Sequence, residues 1–287
     1  MRSGFVAVAG RPNVGKSSLV NRLVGTKVSI TSSRPNTTRR TVRGVLHSDD
    51  AQAVFVDTPG LHRPRTALGE RLVETARSAL SDVDVVVAVL DATAPVGPGD
   101  RMVLAGAHGA PALVVAVNKI DRASPADVLE RLASAARVVE ELGAGEEAEY
   151  FPVSARTGEG VDELAGGVLR RLPEGPAYYP PDVVTDTPEG IAVAELVREQ
   201  LLRHAREELP HSIACRVTEW EWPRVRCEIL VERDSQKGIV IGRGGEVLKS
   251  VGTAVRKQLP PGAYLELYVR VEKRWQQRAD ALDRLGY

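Results

Sequence analysis

The feature that most constrains this chain is a glycine-bounded turn between a strand-like and a helix-like stretch near its start. The turn spans Gly10–Ser17 and reads GRPNVGKS. Before it, Phe5–Ala9 is an apolar run of strand length, and after it Ser18–Val24 carries apolar residues at helical spacing. A strand, a glycine-rich turn and the start of a helix, in this order, form the context of a phosphate-binding loop. The sequence therefore predicts a nucleotide site here.

The chemistry of this turn follows from its residue types. The first N–H groups of a helix have no partner within the helix, and the helix dipole is positive at that end, so both attract phosphate oxygens. Lys16 is predicted to reach the β- and γ-phosphates, and the Ser17 hydroxyl to bind Mg²⁺. The predicted contacts of the loop are Gly10, Arg11, Pro12, Asn13, Val14, Gly15, Lys16, Ser17 and Ser18.

Further along, apolar strands alternate with helical stretches, which predicts a mostly parallel sheet with helices on both faces. Three polar motifs each directly follow a strand, at the sheet edge where such folds bind ligands. The first of them begins with Asp57, in the place of a carboxylate that holds Mg²⁺. The three motifs are Asp57-Thr58-Pro59-Gly60, Asn118-Lys119-Ile120-Asp121 and Ser154-Ala155.

The second of these motifs predicts which base is bound. The carboxylate of Asp121 can accept hydrogen bonds from N1–H and the exocyclic amine of guanine, whereas adenine lacks the N1–H donor. The aliphatic stem of Lys119 can lie along the base. An exposed turn could produce the same four residues, so the motif carries weight only together with the other two.

In this order the motifs resemble the G-motif series of GTP-binding proteins. In the numbering of that series, Gly10–Ser17 is the first motif, Asp57–Gly60 the third, Asn118–Asp121 the fourth and Ser154-Ala155 the fifth. The resemblance assigns base contacts to Asn118, Lys119 and Asp121. In bacterial GTPases of this kind the second motif is a Thr before an Arg, which selects Thr38 and leaves Thr37 as the alternative. Its hydroxyl would hold Mg²⁺ and its backbone the γ-phosphate in the GTP state only. The predicted Mg²⁺ ligands are Ser17, Thr38 and Asp57, and the predicted catalytic residues are Lys16, Thr38 and Gly60.

One position departs from many small GTPases. Leu61 follows Gly60, where those proteins carry a Gln that orients the attacking water. Since Leu cannot hydrogen-bond to water, hydrolysis should be slow or should depend on other groups. Related bacterial GTPases share this replacement, and some recruit K⁺ through an Asn in the position of Asn13. A K⁺ site at Asn13 and an ordinary hydrogen bond within the loop are equally good interpretations.

A second domain is predicted after the proline-rich stretch Pro173–Pro181. Beyond it the pattern changes to helix, two alternating strands, two helices and a further strand, in the order α-β-β-α-α-β. The first helix is predicted from residues spaced along one face, which are Ile191, Ala194, Val197, Leu201, Ala205 and Leu209. A terminal helix is predicted over Trp275–Leu285, with Trp275 packed in the core.

Within this domain, Val240–Lys249 resembles the signature of a type II KH domain. In that fold a GxxG loop between two helices clamps single-stranded nucleic acid, because phosphates approach the main chain closely where no Cβ is present. Tight helix–helix turns also use GxxG, but the predicted strand order favours the RNA interpretation. The predicted RNA contacts are Lys237, Ile241, Gly242, Arg243, Gly244, Gly245 and Lys249.

The combination resembles the Era family over essentially the whole chain. The expected domains are a P-loop GTPase domain at 1–173, a linker at 174–187 and a smaller α+β type II KH domain at 188–287. The resemblance implies Mg²⁺-dependent GTP hydrolysis, binding near the 3′ end of 16S rRNA and a part in 30S assembly. Two alternatives remain open. One is a constitutive RNA-binding module with a structural nucleotide site, and the other is a GTPase whose KH domain docks protein or membrane.

Composition adds few limits. The 287 residues include 38 basic and 38 acidic residues, so net charge does not indicate a partner. The two cysteines, Cys215 and Cys227, lie in strand-like runs and are expected to be buried free thiols. We expect a monomer in the cytoplasm. No signal peptide is expected, because the first strand starts almost at once. Peripheral association with the inner membrane is implied only by the family.

Overall fold

A computed structural model of the chain describes residues 1–34, 36–61, 64, 66–143, 148–204 and 209–287, with the backbone alone at 210 and 211. The chain forms two compact units. One comprises residues 1–31, 38–64 and 69–186, and the other comprises 32–37, 65–68 and 187–287. The architecture is the predicted one, an α/β unit and a smaller α+β unit. The domain limits proposed from the sequence stay a prediction.

The first unit is built on a six-stranded sheet in the order β2-β3-β1-β4-β5-β6. β2 is antiparallel to β3, while every other neighbouring pair in this sheet is parallel. Central strands are mostly apolar because both faces are covered. The strands are β1 (Arg2–Gly10), β2 (Val42–His47), β3 (Ala51–Asp57), β4 (Val85–Asp91), β5 (Leu113–Asn118) and β6 (Glu149–Val153).

Among the described residues, five helices cover this sheet, and buried apolar clusters lie on both of its faces. The longest, α4, starts with a reciprocal cap, in which the Ser124 hydroxyl donates to Asp127 Oδ2 at 2.6 Å and accepts from the Asp127 N–H at 3.2 Å. The helices are α1 (Lys16–Val24), α2 (Ala67–Ser78), α3 (Pro98–Gly106), α4 (Pro125–Glu141) and α5 (Val161–Arg171).

The predicted polar motifs meet at the carboxyl edge of this sheet. β1 lies between β3 and β4, so the turn after Gly10 is flanked by the strand ends at Asp57 and Asp91. β4 pairs with β5 in a register that places Asp91 opposite Asn118. Parallel strand order thus brings residues more than a hundred positions apart to one edge.

The proline-rich stretch is bonded to this unit. The N–H of Ser3 donates to the carbonyl of Pro173 at 3.0 Å. The buried side chain of Gln52 on β3 accepts from the N–H groups of Tyr178 and Tyr179 through Oε1, at 2.7 and 3.0 Å, and donates to the Tyr179 carbonyl at 2.8 Å. One amide therefore satisfies three backbone groups of this segment.

The second unit has a three-stranded sheet in the order β7-β8-β9, with β8 antiparallel to β7 and parallel to β9. One face packs on helices through an apolar cluster that includes both cysteines, which are buried free thiols as predicted. The predicted order α-β-β-α-α-β is present. The main elements are α6 (Glu189–His204), β7 (Ala214–Glu221), β8 (Arg224–Val231), α8 (Asp234–Ile241), α9 (Glu246–Arg256) and β9 (Tyr264–Val271).

One helix prediction in this unit was wrong in detail and one stays a prediction. The first helix is described as α6 up to His204 and helical structure is described again as α7 (Leu209–Ser212), while Ala205 is outside the described residues. The terminal stretch is a 3-10 turn (Trp275–Gln277) followed by α10 (Ala279–Leu285) rather than one helix. The fully buried indole of Trp275 donates to the Ser212 carbonyl at 3.0 Å, which fixes the turn against the core.

Within the described ranges, no helix is long and apolar enough to span a membrane.

Candidate nucleotide site and candidate RNA site

The predicted phosphate loop links β1 to α1 as expected. α1 begins at Lys16 after Gly15, whose φ of 99° lies in the left-handed region that glycine tolerates. A Cβ at Gly15 would also lie 2.3 Å from Nδ2 of Asn118. Lys16 is buried, and its Nζ donates to the carbonyls of Gly10 and Arg11, both at 3.1 Å. The ammonium is therefore held inside the loop that would enclose a phosphate.

The electrostatics of Lys16 suit an anionic ligand. Burial lowers the pKa of this lysine to about 8, against the opposing charge of Asp57. A phosphate would replace the water lost on burial and favour the charged ammonium. Nucleotide binding should therefore raise the pKa of Lys16.

This linkage predicts a pH dependence of nucleotide affinity. The contribution of Lys16 is fully present below its free-state pKa of about 8 and is lost as the pH rises above it. We expect affinity for GDP to fall by about tenfold between pH 7 and pH 9. Fluorescent GDP titration measures this, and calorimetry in two buffers of different ionisation enthalpy should detect proton uptake at the higher pH. A constant affinity across the range would contradict the assignment.

Three side chains from different elements meet where Mg²⁺ is predicted. The hydroxyls of Ser17 and Thr38 lie 2.8 Å apart, and Thr38 Oγ1 donates to Asp57 Oδ2 at 3.4 Å. Asp57 is fully buried, and its Oδ1 has no hydrogen-bond partner in the part of the chain that the structure describes. Burial raises the pKa of this carboxyl. An orphaned carboxylate oxygen beside two hydroxyls fits a hard divalent cation.

The same cluster separates the two threonines that the sequence left open. Thr38 is buried and joins Ser17 and Asp57. The Thr37 hydroxyl instead donates to the carbonyl of Arg34 at 2.7 Å. Geometry therefore favours Thr38 over Thr37 as the switch residue.

Leu61, the residue after Gly60, lies in an apolar environment. The Leu61 side chain is buried in the apolar cluster that α2 and α3 form against the sheet. Its N–H donates to the carbonyl of Gly10 at 3.2 Å. Leu61 thus holds the segment after Gly60 against the phosphate loop and presents no polar group to a water molecule.

The fourth and fifth motifs form one hydrogen-bonded unit. Asn118 donates from Nδ2 to the Val14 carbonyl at 2.8 Å and accepts the Ala155 N–H at Oδ1 at 3.0 Å. Ser154, which is fully buried, donates from Oγ to Asp121 Oδ1 at 2.7 Å. The Asp121 side chain is 10% exposed although its backbone is open to solvent. Its second oxygen, Oδ2, lies 3.6 Å from Nη1 of the exposed Arg156, so a base would share or displace this ion pair.

Two acidic residues at this edge were missed by the sequence analysis. Asp91, at the end of β4, binds the Lys119 ammonium at 2.6 Å. Asp100, buried in the first turn of α3, binds Arg11 of the phosphate loop at 2.7 Å. Neither lies in a motif, so only the strand order and the position of α3 could have revealed them.

The predicted RNA loop is a glycine turn with an open main chain. Between α8 and α9, Gly242, Gly244 and Gly245 all have positive φ, at 76°, 59° and 81°. A Cβ at Gly244 or Gly245 would meet nothing within 4 Å, so the main chain there is open to a ligand. The predicted contacts Arg243 and Lys249 are exposed, whereas Lys237 and Ile241 are half-buried. Their roles stay a prediction.

An exposed apolar side chain on α8 was also missed. Ile239 is 57% exposed, one turn before the glycines. The sequence did not predict that Ile239 is exposed, because the packing of this short helix on the sheet decides which of its residues are buried.

Two family models match the chain, one for each unit. Residues 5–119 match the family described as 50S ribosome-binding GTPase, and residues 208–276 match the KH domain family. The GTPase match ends within the fourth motif.

Curated relatives match along the whole chain. GTPase Era of Mycobacterium avium (strain 104) is 49% identical over 301 aligned positions, covering all of this chain and 99% of that protein. The chain belongs to the Era family of GTPases. GTPase Era of Mycobacterium tuberculosis (strain ATCC 25177 / H37Ra) is 48% identical, covering 99% of this chain and 98% of that one.

Solved Era structures share the fold at full length. A point variant of Aquifex aeolicus Era bound to GDP·AlF4⁻ superposes with a TM-score of 0.90 at 36% identity, covering all of this chain and 99% of that one. Era in complex with MgGDPNP and nucleotides 1506–1542 of 16S ribosomal RNA superposes with a TM-score of 0.91 at 36% identity and the same coverage. The family assignment thus holds for both units.

Proposed function

We propose that this Era-family protein binds and hydrolyses GTP with Mg²⁺, binds 16S rRNA near its 3′ end, and assists assembly of the 30S subunit. Its RNA affinity depends on the bound nucleotide. The observation that carries the proposal is the pairing of two sites in one chain. The first is a phosphate loop joined by Asn118 to a guanine motif, and the second is a glycine turn open to a nucleic-acid backbone.

The choice of the small subunit rests on a solved relative. One matching family is described by 50S ribosome binding, but it covers only part of the GTPase unit. The Era structure that matches this chain at full length contains a 16S rRNA segment. The RNA-binding unit rather than the GTPase unit should decide which ribosomal subunit is recognised, so we follow the full-length match.

The residues divide the chemical work as follows. Lys16 and the N–H groups at the start of α1 would bind the β- and γ-phosphate oxygens and stabilise the charge that develops on them. Ser17, Thr38 and Asp57 would hold Mg²⁺, which neutralises charge between the two phosphates. Because Thr38 lies in a segment that only GTP would engage fully, its position reports the nucleotide state.

Gly60 and Asn13 complete the proposed chemistry. The N–H of Gly60 would contact the γ-phosphate, since the next residue is tied to Gly10. Leu61 offers no group to orient water, so a further positive charge would help. We propose that K⁺ bound beside Asn13 supplies it, a position where the backbone has a φ of 65°.

Ribosomal subunits are assembled in the cytoplasm, and we place the protein there. Peripheral association with the cytoplasmic face of the inner membrane and a monomeric state are further proposals, carried by the family resemblance alone.

The test is GTP turnover with and without an RNA covering the 16S segment 1506–1542 that the solved Era complex contains. In potassium buffer we expect the RNA to stimulate turnover at least about fivefold. In sodium buffer of equal ionic strength we expect slower turnover, because Na⁺ replaces K⁺ poorly in a site of carbonyl and amide oxygens. Equal rates in the two buffers would remove the K⁺ proposal alone.

A matched pair of variants assigns the stimulation to the glycine turn. Gly244→Asp places a negative charge where a phosphate would approach and should abolish RNA stimulation. Gly262→Asp makes the same change at another positive-φ glycine of the same unit, with φ of 91° and open surroundings, and should keep it. Turnover that ignores RNA in the wild type, with normal GTP binding, would overturn the coupling. Absence of GTP hydrolysis would overturn the enzymatic proposal.

A further inference from the structure

Lys119 of the guanine motif is held at its ammonium by two groups outside that motif. Its Nζ donates to Asp91 Oδ2 at 2.6 Å and to the carbonyl of Asn13 at 2.7 Å. The side chains of Lys119 and Asp91 are only 23% and 14% exposed. The lysine backbone is in the left-handed region, with φ of 71°. The side chain is thus stretched between the end of β4 and the phosphate loop.

The carboxylate of Asp91 is itself fixed. Its Oδ1 accepts the N–H of Thr93 at 2.9 Å and the Thr93 hydroxyl at 2.6 Å, which leaves Oδ2 for Lys119. Partial burial favours the neutral acid, but the bonds from Lys119 and Thr93 outweigh it and hold the pKa of Asp91 below its ordinary value. The group is therefore ionised at neutral pH.

The location of Asp91 follows from the sheet. β4 and β5 pair in register with Asp91 opposite Asn118, and the Ala92 N–H donates to the Asn118 carbonyl at 2.8 Å. Lys119 is the next residue along. Asp91 and Lys119 are thus brought together by backbone pairing and not by a flexible loop, so the ion pair needs little ordering.

We infer that Asp91 is a positioning residue of the nucleotide site, which sets the residence time of guanine nucleotides by holding Lys119. The aliphatic stem of Lys119 is the surface on which the base would lie, and the anchored ammonium restricts the conformations that the stem can adopt. Asp91 does not touch the nucleotide. The inference rests on the proposed function, because it concerns the residue that would contact the base.

The test compares Asp91→Asn with Asp84→Asn at the opposite end of β4. In the Asp91 variant, Thr93 keeps the carbonyl oxygen at the Oδ1 position and the amide NH₂ group then faces the ammonium. We expect a fluorescent GDP to dissociate about tenfold faster, measured by stopped flow. Asp84 accepts the N–H of Phe5 at 2.8 Å, a bond that Asn retains, and its variant should dissociate at the wild-type rate.

Two further measurements separate positioning from general destabilisation. Inosine diphosphate lacks the 2-amino group. Asp91→Asn should accelerate its dissociation by the same factor as that of GDP, because the Lys119 stem would contact the ring and not that group. In a Lys119→Met background, which keeps the stem but has no ammonium, Asp91→Asn should add less than about twofold. A full additional effect in that background would overturn the inference and assign Asp91 a structural role.

Failure of the inference and failure of the proposed function are distinguishable. A wild-type chain that does not bind GDP overturns the proposed function and this inference together. A wild-type chain that binds GDP, with unchanged dissociation in Asp91→Asn, overturns the inference alone.

Discussion

Asp57→Asn should stabilise the nucleotide-free protein and abolish its enzymatic activity. The carboxylate is fully buried, and burial raises its pKa even though Lys16 is nearby. A carboxyl whose folded pKa exceeds its unfolded value destabilises the fold once the pH is high enough to ionise it. Replacing it by a neutral amide removes that cost, so without Mg²⁺ the unfolding midpoint of the variant should rise by about 2–4 °C.

The same variant should lose its cation. Asn offers one oxygen without charge, so Mg²⁺-dependent stabilisation by GTP should disappear and turnover should fall on the order of a hundredfold or more. Thermal unfolding in EDTA and in Mg²⁺ with GTP measures both effects, and the order of wild type and variant should reverse between the two conditions. The control is Ser18→Ala, next to the predicted Mg²⁺ ligand Ser17. It tests whether any substitution in this turn causes the same loss of Mg²⁺-dependent stabilisation and of turnover. A variant less stable than the wild type in EDTA would contradict the electrostatic explanation.

Asp121→Asn should convert the base site from guanine to xanthine. Ser154 donates to Oδ1 of Asp121 at 2.7 Å and would orient an Asn with its carbonyl oxygen in that position. The amide NH₂ group would then take the place of the second oxygen. It would face the N1–H and amine donors of guanine, and GTP affinity should fall on the order of a thousandfold.

Xanthine carries a carbonyl where guanine carries the amine, so the same NH₂ group would donate to it. The variant should therefore hydrolyse xanthosine triphosphate at a rate near that of the wild type with GTP. Asp121→Ala is the control, because it loses guanine recognition without gaining a donor. Equal loss of both nucleotides in the Asn variant would mean that Asp121 acts through Ser154 and not on the base.

The motifs and the element order could be predicted because both are local patterns. Most strands of the GTPase unit contain an apolar run of strand length, and the third, fourth and fifth motifs each follow a strand directly. Ser48, Asp49 and Asp50 are turn-forming residue types between two strand-like runs, a local pattern that predicts a turn there, and β2 and β3 are antiparallel. The third and fourth motifs meet the phosphate loop because parallel sheets collect their carboxyl ends at one edge.

What could not be predicted depends on register and packing. The ion pair of Asp91 with Lys119 requires β4 and β5 to pair without a one-residue shift, which no local pattern specifies. The break of the C-terminal helix at Arg278 follows from the burial of Trp275 and its bond to Ser212. Such tertiary contacts outweigh helical spacing.

The two hydrogen bonds made by the side chain of Asn118 affect how tightly the GTPase unit can bind a nucleotide. By linking Val14 to Ala155, it fixes the separation between the phosphate loop and the base site. A guanine nucleotide then acts as a bivalent ligand whose second end binds at a high effective concentration once the first is bound. Guanosine and pyrophosphate lack this connection, so together they would bind far more weakly than the intact nucleotide. Tight binding here does not require a deep apolar cavity, only two sites at a constant distance.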